Sequence, residues 1–219
     1  MIKLVIFDFD GTIVDTAADL VTATNEFLVA HGQKALPEAQ IRQGIGTGLK
    51  DLLFKFFSSD PKQEDHYENL FLDIYERHHL LEAKVYPGLH EFIQSWPHQV
   101  AILSNKSERF IHSIMRHLEL DKIKWAGIAG GDTFSEKKPH PLPFEKILEL
   151  AQVTKDEVLM VGDGEPDILG ARNSGIKSAA VEYGYLAIEE LMALGADFRL
   201  KDLAQLNALI RQISPSSFN

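Results

Sequence analysis

Apolar positions fall into two rhythms along this chain. Short unbroken runs occur at LVIF, residues 4–7, at VAIL, residues 100–103, and at VLMV, residues 158–161, with weaker runs near 126–130 and 177–182. Runs of this length suit strands buried on both faces of a parallel sheet. Between them apolar residues recur at helical spacing. Leu89, Phe92, Ile93 and Trp96 form one such set, and residues 107–118, 143–151 and 167–174 carry others. This alternation predicts an α/β fold, with strands at 99–104, about 126–130, 158–163 and 177–182 in a parallel sheet covered by helices. A last helix with Leu203, Leu206, Leu209, Ile210 and Ile213 is expected to pack on the outside.

After the first run no further strand is expected until about Val100. The intervening stretch is helical in pattern: Leu20, Val21, Thr24, Phe27 and Leu28 share one face, Leu49, Leu52, Leu53, Phe56 and Phe57 a second, and Leu70, Phe71, Ile74 and Tyr75 a third. Tyr86-Pro87-Gly88 marks the return to the alternating pattern. Residues 42–49 read RQGIGTGL, with glycines at alternate positions. Such a segment is either a flexible helix–helix turn or a loop whose backbone N–H groups meet a ligand.

Polar residues gather where the apolar runs stop. Asp8, Asp10, Gly11 and Thr12 follow the first run, Ser104, Asn105 and Lys106 the second, and Gly162, Asp163, Gly164 and Asp167 the third. In open α/β sheets the ligand crevice lies outside the carboxyl ends of the strands, so these residues stand where chemistry is usually done. Lys137 and Lys138 precede a proline-rich break, KKPHPLPF. Singly, each piece has a plain explanation: a DxD or a GDG is a turn or helix cap, a hydroxyl after a strand is a cap, and a lysine is solvated.

Taken in order, the four pieces resemble the haloacid dehalogenase superfamily of phosphotransferases, over nearly the whole chain. Asp8-Phe9-Asp10-Gly11-Thr12 is similar to its DxDxT motif, Ser104 to its second motif, Lys138 to its lysine before proline, and Gly162-Asp163-Gly164-Glu165-Pro166-Asp167 to its GDxxxD. The resemblance implies a Rossmann-like three-layer core with a parallel sheet, residues 1–14 and 84–219. It also implies a small all-helical cap at residues 15–83, inserted after the first strand to set substrate specificity. It implies Asp8 as nucleophile, forming an aspartyl-phosphate, and Asp10 as acid and base for the leaving alcohol and the attacking water. Mg²⁺ is the implied cofactor, held by the Asp8 side chain, the Asp10 carbonyl and Asp163, with Asp167 supporting from behind. Lys138, Thr12, Ser104 and Asn105 are the implied phosphate partners. Gly164 and Pro166 depart from the commoner GDSxxD form; Pro166 is expected to start the helix carrying Asp167, which should close at Gly175.

Gly46-Thr47-Gly48, LSNKSERF and Tyr183-Gly184-Tyr185 further resemble the phosphoglycolate phosphatase subgroup. This implies a small phosphate ester such as 2-phosphoglycolate as substrate, with Arg42, Gly46, Thr47 and Lys106 as its candidate contacts. The open alternatives are a sugar-phosphate mutase, a phosphatase for pyrophosphate, nucleotides or sugar phosphates, and a non-catalytic regulatory relative. The last would be expected to lack Asp8 or Asp10.

Composition narrows the setting. A chain of 219 residues holds one large domain or two small ones, and 45% hydrophobic content suffices for a core. No apolar run is long enough to span a bilayer, and MIKLVIF is too short for a secretion signal and leads straight into Asp8. No cysteine is present, so disulfides and thiol chemistry are excluded and a cytoplasmic setting is expected. The formal net charge of -10 disfavours nucleic acid as a partner; the resemblance implies a small-molecule phosphate ester instead, and a monomer or homodimer is expected. The nine histidines show no zinc-type spacing; His78 and His79 point about 100° apart on a helix, and His140 lies near Lys138.

Overall fold

The structure, a computed structural model, describes residues 1–48, 51–53, 57 and 63–214. Its centre is β1, Leu4–Phe7. Beside it lie β4, Gln99–Leu103, and β6, Val158–Gly162. The sheet extends through β5, Ile128–Ala129, on one side, and through β7, Lys177–Val181, and β8, Phe198–Leu200, on the other. The order is β5-β4-β1-β6-β7-β8 and every pairing is parallel.

Successive side chains of a strand point to opposite faces, and the apolar runs divide accordingly. Val5, Phe7, Val100, Ile102, Leu159 and Val161 face one layer. It contains Leu89 and Phe92 of α4, Leu89–Ser95, and Ile111 and Ile114 of α5, Glu108–His117. Leu4, Ile6, Ala101, Leu103, Val158 and Met160 face the other layer. There they meet Phe144 and Ile147 of α6, Leu142–Ala151, and Ala171 of α7, Glu165–Ser174. Unbroken apolar runs were needed because both faces are covered. Each fully buried side chain of this size contributes about 1.5–3 kcal/mol.

The stretch between β1 and β4 forms a separate helical cluster. α1 is Ala17–Ala30, α2 Glu38–Arg42 and α3 Glu64–Tyr75, and residues 51–53 are helical. Leu20, Phe27, Leu53, Phe57 and Phe71 make its core, with Phe27 edge-on to Phe57 at 5.3 Å and to Phe71 at 6.0 Å. Of the second expected face, Leu52, Leu53 and Phe57 are buried, whereas Leu49 and Phe56 lie outside the described residues. Phe110 of α5 reaches from the sheet layers into this cluster. Two features escape the apolar pattern. The chain leaves and re-enters the sheet layers through a two-stranded antiparallel ribbon, β2 Val14–Asp15 with β3 Lys84–Val85. Beyond β7 come α8, Ile188–Ala193, and the three-residue edge strand β8, too short for alternation to register. The closing helix is α9, Leu206–Ile213, with Leu206 and Ile210 fully covered. Among the described residues no helix is long and apolar enough to cross a membrane.

Candidate active site

Phe7 is level with Ile102 on one side and Val161 on the other, so the three central strands end together. Neighbouring strands lie about 4.8 Å apart, which brings the residues just past each end within reach of one another. Asp8, Asp163 and Asp167 each offer a carboxylate oxygen within 4.8 Å of the others, and all three are buried. Lys138 Nζ enters this group, donating to Asp8 Oδ1 at 2.8 Å, Asp167 Oδ1 at 2.5 Å and the Leu103 carbonyl at 2.6 Å. These three bonds use the whole donor capacity of an ammonium. Lys137 points elsewhere, to Asp51 at 2.6 Å and the Thr47 carbonyl at 3.1 Å.

The other partners orient the carboxylates. Asp163 accepts from Thr12 Oγ1 at 2.8 Å and from the Tyr185 N–H at 2.9 Å. The Thr12 hydroxyl is thus turned to Asp163 rather than left free for a phosphate oxygen. Asp167 Oδ2 accepts from the Gly164 N–H at 2.9 Å, which leaves both its oxygens engaged. Glu165 and Pro166 open α7, where a proline costs no hydrogen bond, and Gly175 closes it at φ +69°. Gly11 sits at φ +79°, and a Cβ there would lie 2.2 Å from Asp163 Oδ2. Gly11→Ala is therefore expected to displace Asp163, lowering both activity and melting temperature. A variant with wild-type metal response and stability would show that the loop has room.

One lysine does not balance three carboxylates. Burial, then Asp8 and Asp167, push Asp163 well above the usual carboxylate range. Burial and Asp8 push Asp167 up to about 6, against the pull of Lys138. Hard oxygen donors carrying excess negative charge in a buried cluster fit a divalent cation of the Mg²⁺ type.

Asp10 belongs to a second network. Its Oδ1 accepts from Thr16 Oγ1 at 2.5 Å and from Lys106 Nζ at 3.1 Å, with Oδ2 3.3 Å from the same ammonium. Lys106 also donates to the Tyr75 hydroxyl of α3 at 2.7 Å. Burial alone would lower the Lys106 pKa, but Asp10 and Tyr75 outweigh it and the ammonium is held above its ordinary value. Ser104 Oγ is buried and accepts from the Lys106 N–H at 3.3 Å. Asn105 donates to the Gly46 carbonyl at 3.1 Å and the Lys138 carbonyl at 2.9 Å, joining the glycine loop to the sheet end. That loop therefore meets the sheet end through the Gly46 carbonyl, and Thr47 turns its hydroxyl to Gly44 at 2.9 Å. Arg42 stands aside, bonded to Glu38 at 2.8 Å and 5.2 Å above the Tyr185 ring.

The sequence reading did not single out Thr16, Tyr75 or Tyr185 for the site. Tyr185 was legible in part, since it follows β7 and so obeys the same strand-end rule. His79 is buried against Ser113 at 2.8 Å, His78 meets Glu26 at 2.7 Å and His140 accepts from the Leu142 N–H. None joins a metal-type cluster among the described residues.

Comparison with known proteins identifies the family. The profile of the haloacid dehalogenase-like hydrolase family matches residues 5–181. A phosphoglycolate phosphatase of Vibrio parahaemolyticus is 34% identical over 217 residues, covering 94% of each chain. One of Chromobacterium violaceum is 31% identical over 220 residues, covering 96% of this chain and 97% of its own. A hydrolase of Pseudomonas syringae superposes with a TM-score of 0.81 at 26% identity, covering 95% of this chain and 98% of its own. Similarity of this extent, spanning all the strand ends described above, places the chain in the haloacid dehalogenase-like hydrolase family.

Proposed function

We propose that the protein is a Mg²⁺-dependent phosphomonoester hydrolase working through an aspartyl-phosphate, with 2-phosphoglycolate as its substrate and glycolate and phosphate as products. The observation that carries this reading is the placement of Asp8. It is a buried carboxylate at the end of the central strand, held by Lys138 beside two further carboxylates, with Asp10 two residues on. Asp8 attacks phosphorus as the bond to the leaving oxygen breaks, and Asp10 gives that oxygen its proton. Asp10 then takes a proton from the water that attacks the phosphoenzyme, restoring Asp8. Ser104 and the Asn105 backbone hold the phosphoryl oxygens, Lys138 joins them by giving up one of its present acceptors, and Asp167 keeps Lys138 in place.

Asp8, the Asp10 main-chain carbonyl and Asp163 would hold the metal. When bound, Mg²⁺ neutralises the repulsion between carboxylates and phosphate and stabilises charge developing on the phosphoryl group. Residues 15–83 act as a cap over a core of residues 1–14 and 84–219, selecting the leaving group and excluding water. The names of the relatives from Vibrio and Chromobacterium support the choice of substrate. The absence of cysteine supports a cytoplasmic setting, and the net charge of -10 supports a small molecule rather than a nucleic acid as partner; the enzyme acts as a monomer or homodimer without a membrane partner.

The test is phosphate release from a panel of small phosphoesters that includes 2-phosphoglycolate. Release should fall to background in excess chelator and return with Mg²⁺. Turnover that persists without metal, or isomer interconversion in place of phosphate release, would refute the reading.

A further inference from the structure

A partly open cavity of about 50 Å³ lies between α3 and the sheet end, bounded by Asp10, Tyr75 and Lys106 and walled by Leu20, Phe71 and Phe110. By this measure one water needs about 10–15 Å³, so the sheltered space beneath its mouth holds only a few non-hydrogen atoms. It adjoins Asp10, where the proposed leaving oxygen receives its proton. A leaving group here is therefore small, and its far end meets Tyr75 and Lys106.

The donors and acceptors in this cavity are unequal. The Tyr75 oxygen accepts from Lys106, its one hydrogen bond among the described residues, so the hydroxyl's own proton has no acceptor there. Burial pushes Tyr75 up to about 12, so the proton stays in place at neutral pH. Both Asp10 oxygens are already engaged by Lys106 and Thr16. A buried spare donor beside an ammonium, within apolar walls, calls for an anionic acceptor. Arg42, the other basic candidate for the substrate, does not line this cavity.

We propose that the Tyr75 hydroxyl and the Lys106 ammonium form the subsite for the negatively charged end of a small leaving group, and that this pair selects the substrate. The inference rests on the phosphatase reading above and adds Tyr75, contributed by the helical cluster, as a specificity residue. Substrate binding draws Lys106 from Asp10 toward the carboxylate of the leaving group and gives the Tyr75 proton its acceptor.

A matched pair of substrates tests this: 2-phosphoglycolate, and 2-hydroxyethyl phosphate, in which an alcohol replaces the carboxylate. The wild type should prefer the carboxylate in kcat/KM. Tyr75→Phe keeps the ring and removes one hydrogen bond to a charged group, so the preference should shrink by about tenfold. Lys106→Met should erase it. An unchanged preference, or an equal fall for both substrates in Tyr75→Phe, would overturn the proposal by showing a purely structural role. Failure of the phosphatase reading would look different: the wild type would release phosphate from no small phosphoester at all, and this inference would fall with it.

Discussion

Asp8→Asn should stop turnover while leaving the fold intact. The amide keeps the shape of the side chain but is no nucleophile, and losing a covalent nucleophile costs on the order of 10⁴- to 10⁶-fold in rate. Stability in metal-free buffer should change in a direction that a generic core substitution would not produce. Asp8 is the neighbour whose charge raises both Asp163 and Asp167. A group whose pKa is raised in the folded state contributes stability below its unfolded value and loses it as pH climbs through the folded value. For Asp167 that window runs from its ordinary 3.8 to about 6. Metal-free wild type should therefore weaken as pH rises across this range, and Asp8→Asn should flatten the decline. Stopped-assay phosphate release together with urea unfolding at several pH values checks both statements. Substantial residual turnover in clean protein would remove Asp8 as the nucleophile.

Lys138→Met should have the largest effect on stability. The side chain is 1% exposed and its three donors all go to buried acceptors. Methionine fills a similar volume but leaves Asp8 and Asp167 without a cation and the Leu103 carbonyl without a donor. Breaking a buried ion pair from one side costs about 3–5 kcal/mol. In a chain of this size that is a fall of about 6–20 °C in melting temperature. Activity should be lost as well, since the same ammonium would hold the phosphate. A Lys137→Met control should be mild, because that lysine is partly exposed and its partner Asp51 lies at the surface. Equal behaviour of the two variants would contradict the geometry described here.

Much of the sheet was legible because its strands are buried on both faces. An apolar run with no polar interruption has few other uses in a chain of this length, and its first polar residue marks the strand end. The helices α5, α6 and α7 appeared within a residue or two of their pattern, with Pro166 and Gly175 punctuating the last of them. The ribbon β2–β3 and the edge strand β8 did not, since two or three residues carry no period. The choice between Lys137 and Lys138 was set by the family resemblance, while their burial was beyond any local reading.

By itself the sequence determined the order of the longer strands and of the helices between them, and the polar residues that stop each apolar run. Those are local properties: periodicity, burial pattern and the chemistry of the residue that ends the run. The tertiary structure alone decided the partners. Thr12 meets Asp163 across 151 positions, Lys106 meets Asp10 across 96, and Tyr75 comes from another helix to complete that pair. Such contacts depend on how helices settle on a sheet whose strand order is not the chain order, a global packing outcome that no short window of residues encodes.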